Sequence, residues 1–250
     1  MEYGICSLSV IPIRSSAADT YEMVSQIIYG EHFKVLEKRK FWSRIRLSFD
    51  GVEGWILNNQ IQFIENNIYE LIDRFENPEY ASDLVSFVTT DTAVLIPIVL
   101  GSSVHNKTVL PNIFEGTTTN IKQEKANLIN TALLYLNAPQ LKGGRTPFGL
   151  DSSGFAQIVY KINGYRLKRN AIEQASQGEA LSFIEESEPG DLAFFDNNEG
   201  IIDHVGIIMK DNHIIHVHGK VRIDRIDHTG IFNSETRSYS HSLRVIKKII

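Results

Sequence analysis

Cysteine is almost absent from this chain of 250 residues: Cys6 stands alone, so no internal disulfide and no cysteine-built metal cluster can form. Positive charge is not in excess, since 25 Lys and Arg against 30 Asp and Glu leave a formal charge of −5. That balance excludes a chain-wide basic footprint for nucleic acid. Long apolar runs are missing too. The longest, Ala93 to Leu100, is interrupted by Pro97 and falls far short of the roughly 20 residues that cross a bilayer. The opening Met1-Glu2-Tyr3-Gly4-Ile5-Cys6 has neither the basic segment nor the apolar core of a secretory signal, so the chain as given reads as a soluble protein of the cytoplasm with no membrane partner. Convincing internal repeats and low-complexity tracts are absent. What is present is a 42% hydrophobic share, ordinary for a globular core, in a length that allows one large domain or two to three small ones.

Residues 1–62 alternate aromatic and β-branched with polar positions over Ser7–Ile13, His32–Glu37, Phe41–Phe49 and Gly54–Leu57, with Asp50-Gly51 as a turn; this predicts a small β-barrel. From Asn67 to Asn77, Ile68, Leu71, Ile72 and Phe75 fall on one helical face, a helix suited to linking domains. Residues 63–122 then turn strand-like again over Leu84–Val88 and Ala93–Leu100, as a degenerate second barrel would. Residues 123–250 change character. Two helices are expected, over Ala126–Leu136 and Ser153–Ile162, the second stopped by Asn163-Gly164. Three strands follow, Asp191–Asp196, His204–Lys210 and His213–His218. Helices first and antiparallel sheet after make an α+β arrangement.

Three features of this last region carry chemistry. A glycine-rich loop runs into Gly149-Leu150-Asp151-Ser152-Ser153-Gly154-Phe155 at a helix start, one strand opens with His204-Val205-Gly206-Ile207, and the next carries His216. A nucleophile at a helix N-terminus sits among unpaired amide N–H groups at the positive end of the helix dipole. A facing histidine can act as base, and a second hydrogen-bonding residue can fix its tautomer.

The run from Gly143-Gly144-Arg145 to Gly154-Phe155, with His204-Val205-Gly206-Ile207 and His216, resembles the NlpC/P60 cell-wall peptidases. The first sixty residues resemble the bacterial SH3 domain that precedes the catalytic domain in the γ-D-glutamyl-L-diamino-acid endopeptidases. The resemblance implies a papain-like fold, cleavage of murein-derived peptides that begin with a free L-Ala, His204 as base, His216 as its orienter, and no metal or organic cofactor. Glu22, Asp151, Ser153, Arg169 and Asn170 are the candidate substrate-binding residues: Glu22 matches a family glutamate expected to face the site, and Asn170 stands where the pattern has an Asp that pairs with the substrate's free amine.

The family keeps cysteine where this chain has Ser152, and a serine hydroxyl is scarcely ionised near neutral pH. Other positions depart as well. Tyr-x-Trp-Gly-Gly becomes Gln140-Leu141-Lys142-Gly143-Gly144, Arg-Asp becomes Arg169-Asn170, and Asp-Gly-Tyr-x-Gly-Trp becomes Asp50-Gly51-Val52-Glu53-Gly54-Trp55. An engineered Cys-to-Ser change accounts for one of these. Several losses in one pocket favour a naturally degenerate homologue, impaired or inactive, and leave open a non-catalytic module that binds cell-wall peptides or a protein partner. A serine-type acyl transferase is a third option.

Plainer readings stand beside the sharp ones. Asp151 and Asp203 read as a helix cap or surface acids, His213 and His218 as solvent-facing strand residues, Cys6 as a small buried hydrophobe, and Trp42 and Trp55 as barrel core or inter-domain contacts. Gly143-Gly144 and Gly149 form no phosphate loop, because no Gly-Lys-Ser/Thr follows. The His204 and His216 pair carries a condition: a two-residue Asp211-Asn212 turn would put the two rings on opposite faces, so the hairpin needs an odd connection or a bulge.

Overall fold

Period-two alternation in the first sixty residues builds the strands of one unit, and a buried helix followed by antiparallel strands builds the other. In this computed structural model residues 2–75, 78–120, 122–197 and 199–250 are described. The two units are Met1–Ile121 with Lys142–Pro147, and Lys122–Leu141 with Phe148–Ile250. Among the described residues no helix is long and apolar enough to cross a membrane.

In the first unit β1 (Glu2–Ile5), β2 (Val10–Arg14), β3 (Met23–Ile28), β4 (His32–Lys38), β5 (Trp42–Leu47), β6 (Glu53–Leu57) and β7 (Gln62–Ile64) form one antiparallel sheet in the order β3-β2-β6-β5-β4-β1-β7. Its core takes the inward residues of successive strands, among them Ile11, Ile27, Phe33, Ile45 and Ile56, with Cys6. Each such side chain contributes on the order of 1.5–3 kcal/mol by leaving water. Sequence alternation does not pick out β3, because Ser25, Gln26, Ile27 and Ile28 are all buried and the period of two vanishes where both faces are covered. Asp50-Gly51 turns as expected: Gly51 has φ +80° and the Val52 N–H donates to the Asp50 carboxylate at 3.0 Å. Trp55 is buried beneath the Arg39 guanidinium, 4.2 Å from its ring centroid.

Helix α1 (Asn66–Asp73) is shorter than the sequence pattern suggests; Asn77, the expected end, lies outside the described residues. Beyond it β8 (Tyr80–Ala81) pairs with β12 (Thr118–Thr119), while β9 (Val85–Thr89) lies between β10 (Leu95–Val99) and β11 (Ile113–Phe114). They form two small sheets. The short strand β13 (Arg145–Thr146) also belongs to this unit. Its Arg145 is fully buried and forms a bidentate pair with the buried Glu31 carboxylate at 3.0 Å on each arm, a third bond reaching the Gln26 carbonyl at 2.7 Å.

The second unit opens with α2 (Asn127–Leu133), the short strand β14 (Gly149–Leu150) and α3 (Ser152–Ile162), which is buried along its whole length. Gly164, at φ +84°, follows its end, and a Cβ there would lie 2.9 Å from the Lys122 backbone, so the Asn-Gly stop is also a packing requirement. After α4 (Ala171–Gln174) come β15 (Glu179–Leu181), β16 (Leu192–Asp196), β17 (Ile202–Ile208), β18 (His213–His218), β19 (Lys220–Ile226), β20 (Gly230–Asn233) and β21 (Ser238–Lys248). They order as β15-β21-β16-β17-β18-β19-β20, and β20 also pairs with β21, which closes six of them into a ring.

The three-strand expectation is therefore an undercount. In β19 Arg222 and Asp224 share a face with buried Ile226, whereas Ile223 points outward and is 37% exposed. That inversion of polar and apolar sides hides the strand from a hydrophobic pattern.

Candidate active site

Asp151 caps α3: its carboxylate accepts the Gly154 N–H at 2.7 Å, and its own backbone is extended. A cap of this kind stabilises a helix by about 1 kcal/mol. Arg169 holds the same carboxylate in a bidentate pair at 2.9 and 2.8 Å and donates to Ser153 Oγ at 3.0 Å. The Gln174 amide donates to the Ser153 and Lys168 carbonyls at 3.0 and 2.7 Å, fixing the segment from behind. Ser152 is thus the first residue of a rigidly held helix, 7% exposed, beside first-turn amides that the helix itself leaves unused. The structure brings Ser152, Asp151, Ser153 and Arg169 together. Asn170 follows as the N-terminal flank of α4, exposed, its amide donating to Glu173 at 3.1 Å.

Helix α3 packs on β17, the strand of His204. The hairpin from β17 to β18 meets the odd-connection condition: Ile208 pairs with Ile214 and Gly206 with His216, which leaves an odd loop around Asp211 and Asn212, both left-handed at φ 56° and 55°. His204 and His216 therefore share a face, and His204 Nε2 lies 2.9 Å from His216 Nδ1. Gly206 lies between them. A Cβ there would meet Ile214 at 2.6 Å and the His216 Cβ at 3.0 Å. Gly206→Ala is expected to cost about 1–3 kcal/mol of stability by overpacking and to lengthen the bond between the two rings. Chemical denaturation and the imidazole proton resonances measure both, and unchanged stability with an unchanged ring contact would contradict this.

Sequence reading missed three residues of this cluster. His216 Nε2 lies 3.0 Å from Asp224 Oδ2, and Arg222 grips the same carboxylate at 2.6 and 3.0 Å. The register that pairs His216 with Arg222 and Ile214 with Asp224 puts that carboxylate diagonally across from His216; the inverted face of β19 left no hydrophobic signal for it. His241 on β21 stacks on His204 with ring centroids 3.9 Å apart and planes 21° apart, and Ser240 Oγ reaches its Nδ1 at 2.8 Å. It lies far along the chain and only the ring closure delivers it.

Burial pushes the His204 imidazole well below its ordinary value, and the neighbouring His241, His216 and His218 push the same way. Burial also lowers His216, outweighing the pull of Asp224, and lowers His241 to about 4. For Asp224 burial acts upward, but the bonds from His216 and Arg222 outweigh it and the carboxyl lies below its usual value. All three imidazoles are therefore neutral near pH 7.

On acidification the unfolded chain takes up protons near pH 6.5 while the folded rings do not, so stability falls from pH 6.5 downward, through about 4 for His241. Each ring adds a slope of about 1.4 kcal/mol per pH unit across its window. Melting of the second unit between pH 7 and 4 measures it, and a flat profile would count against neutral buried rings.

His204, His216 and His241 offer ring nitrogens within 4.8 Å of one another. Their arrangement fits a metal ion poorly. His204 and His216 already bond to each other and His216 to Asp224, and an ion cannot lie in the planes of both stacked rings of His204 and His241. His204, His216 and Asp224 form a hydrogen-bonded chain, with His241 stacked on His204.

Glu22, in the first unit, takes the Lys142 ammonium at 2.7 Å. Gln140 pins the β18–β19 turn, accepting the Gly219 N–H at 2.7 Å and donating its own backbone N–H to the Gly219 carbonyl at 3.0 Å. His218 and Asp203 are exposed, and His213 is half-buried. Cys6 is fully buried and burial raises its thiol pKa far above the ordinary value, which makes it an inert hydrophobe.

Comparison with known proteins bears on both units. Residues 139–239 match the NlpC/P60 family, and residues 13–61 match the bacterial dipeptidyl-peptidase Sh3 domain. The γ-D-glutamyl-L-lysine dipeptidyl-peptidase of Bacillus cereus is 24% identical over 234 residues, covering 78% of this chain and 67% of that one. The protein of the same name from Bacillus subtilis is 26% identical over 211 residues, covering 77% and 71%. A solved NlpC/P60 family protein from Bacillus cereus superposes with a TM-score of 0.81 over 99% of each chain at 17% identity, which is a likeness of fold.

Proposed function

Because the chain carries an NlpC/P60 domain behind a bacterial SH3 domain and is homologous to γ-D-glutamyl-L-lysine dipeptidyl-peptidases, we propose that it is a peptidoglycan-peptide hydrolase scaffold with Ser152 at the nucleophile position and turnover impaired by that serine. The observation that carries the reading is the pairing of a capped, buried helix start at Ser152 with the hydrogen-bonded rings of His204 and His216 on the strands packed against that helix.

In the reaction, Ser152 Oγ attacks the carbonyl carbon of the γ-D-Glu amide while His204 takes its proton. The oxyanion is held by first-turn N–H groups of α3 at the positive end of the helix. His204 then returns the proton to the leaving amine, and water cleaves the acyl-enzyme by the same route. The difficulty lies in the first step, because a neutral imidazole is a weak base toward a serine hydroxyl, whereas a thiol is largely ionised by such a pair. Arg169 and Asp151 hold the helix start, and Asn170 offers a neutral amide where a carboxylate would capture the peptide's free ammonium.

Incubation with L-Ala-γ-D-Glu-diaminopimelate tests the reading. Slow cleavage or none is expected, and efficient turnover by the chain as written would sink the impairment. The same serine supports a second reading, capture of cell-wall peptides without cleavage, for which calorimetry should show weak binding and no product.

A further inference from the structure

The bonds around His216 determine where its proton sits, and through it where the proton of His204 sits. Asp224 is 5% exposed, and its two oxygens face only donors in the immediate network: Arg222 Nε at 2.6 Å and His216 Nε2 at 3.0 Å on Oδ2, and Arg222 Nη2 at 3.0 Å on Oδ1. Arg222 is itself anchored, donating to Glu235 at 3.1 Å and to Asn233 Oδ1 at 3.3 Å. A carboxylate can only accept, so His216 must carry its hydrogen on Nε2. A neutral imidazole with hydrogen on Nε2 has a bare Nδ1. That bare Nδ1 faces His204 Nε2 at 2.9 Å, so His204 must donate there, and its own Nδ1 is left bare.

We propose that Asp224, clamped by Arg222, is a positioning residue that sets the proton order through His216 and so makes His204 Nδ1 the basic nitrogen of the site. This rests on His204 being the base, but the proton order itself can be measured without any turnover. No fourth group of this kind is needed for the rings to pack. Its effect lies in excluding the other tautomer, in which His204 would hold hydrogen on Nδ1 and could take no proton from a nucleophile there.

The test is nitrogen NMR of the full chain labelled in its imidazoles, near pH 7. Both His204 and His216 should show hydrogen-bearing Nε2 and bare Nδ1. In Asp224→Asn the amide nitrogen must face either His216 or Arg222, and Arg222 presents only donors. The amide should therefore donate to His216, moving the hydrogen of both rings to Nδ1 in a substantial fraction of molecules. A purely structural role would lower the melting temperature and leave the tautomers as they were. Hydrogen on His204 Nδ1 in the unaltered chain overturns the proposal at once, as do unchanged tautomers in a folded Asp224→Asn chain.

Should Asp224→Asn fail to fold, Arg222→Lys, which loosens the clamp while keeping the charge, should broaden or mix the two tautomers; a spectrum identical to the parent's would count against the clamp. A functional arm uses Ser152→Cys, in which alkylation of the thiol by iodoacetamide should slow at least tenfold when Asp224→Asn is added. An NMR result as expected with no slowing would keep the proton order and reject His204 as the base of Ser152.

Discussion

Replacing Ser152 by cysteine is expected to raise cleavage of L-Ala-γ-D-Glu-diaminopimelate by about a thousandfold or more over the chain as written, because loss of a hydrolase nucleophile costs on the order of a million-fold and a serine retains part of its function. The place is prepared for a thiolate. The residue begins a buried helix whose dipole favours an anion, and its cap is held by Arg169 at 2.8 and 2.9 Å. The gain should nevertheless stop short of an efficient enzyme. On the proposed reading Asn170 would give the peptide's ammonium a neutral partner, and a charge-assisted hydrogen bond contributes about 1.5–3 kcal/mol, so Ser152→Cys with Asn170→Asp should exceed Ser152→Cys alone by about tenfold or more in kcat/KM. Equal rates for the two would show that Asn170 does not limit capture. If the chain as written turns over and Ser152→Ala changes nothing, Ser152 is not the nucleophile at all.

The largest expected effect on stability lies in the first unit. Arg145→Ala should destabilise it by about 3–5 kcal/mol, the cost of leaving one member of a buried ion pair behind. Arg145 and Glu31 are both sealed from solvent, the guanidinium makes two bonds to the carboxylate and one to the Gln26 carbonyl, and the Arg145 backbone N–H donates to the Gln26 side chain at 2.7 Å. For a unit of this size the loss corresponds to roughly 10–20 °C in melting temperature. Removing Glu31 as well should recover a sizeable part, since the penalty comes from the uncompensated charge and not from the pair's own strength. Denaturant titration of the single and double variants measures both. A double variant no more stable than Arg145→Ala would show that the pair stabilises the unit directly.

Much of the architecture was legible because local patterns carried it. Alternation in β2, β4, β5 and β6, the Asp50-Gly51 turn, the capped start of α3 at Asp151 and its Asn163-Gly164 stop each depend on residues close in the chain. Where burial on both faces or an inverted face removed the pattern, as in β3 and β19, the strands were invisible. The histidine pair shows the boundary most clearly. Sequence supplied the residues and even the condition on their hairpin, an odd connection; only the fold could meet it, because loop parity depends on which residues between His204 and His216 leave the ladder.

By itself, then, the sequence determined a chain with a single cysteine, placed away from the start of α3, where Ser152 stands. Tertiary structure decided what surrounds the two histidines. Asp224, Arg222 and His241 reach the histidines through ladder register and ring closure, contacts that depend on strands far apart in the chain and so leave no periodic trace along it.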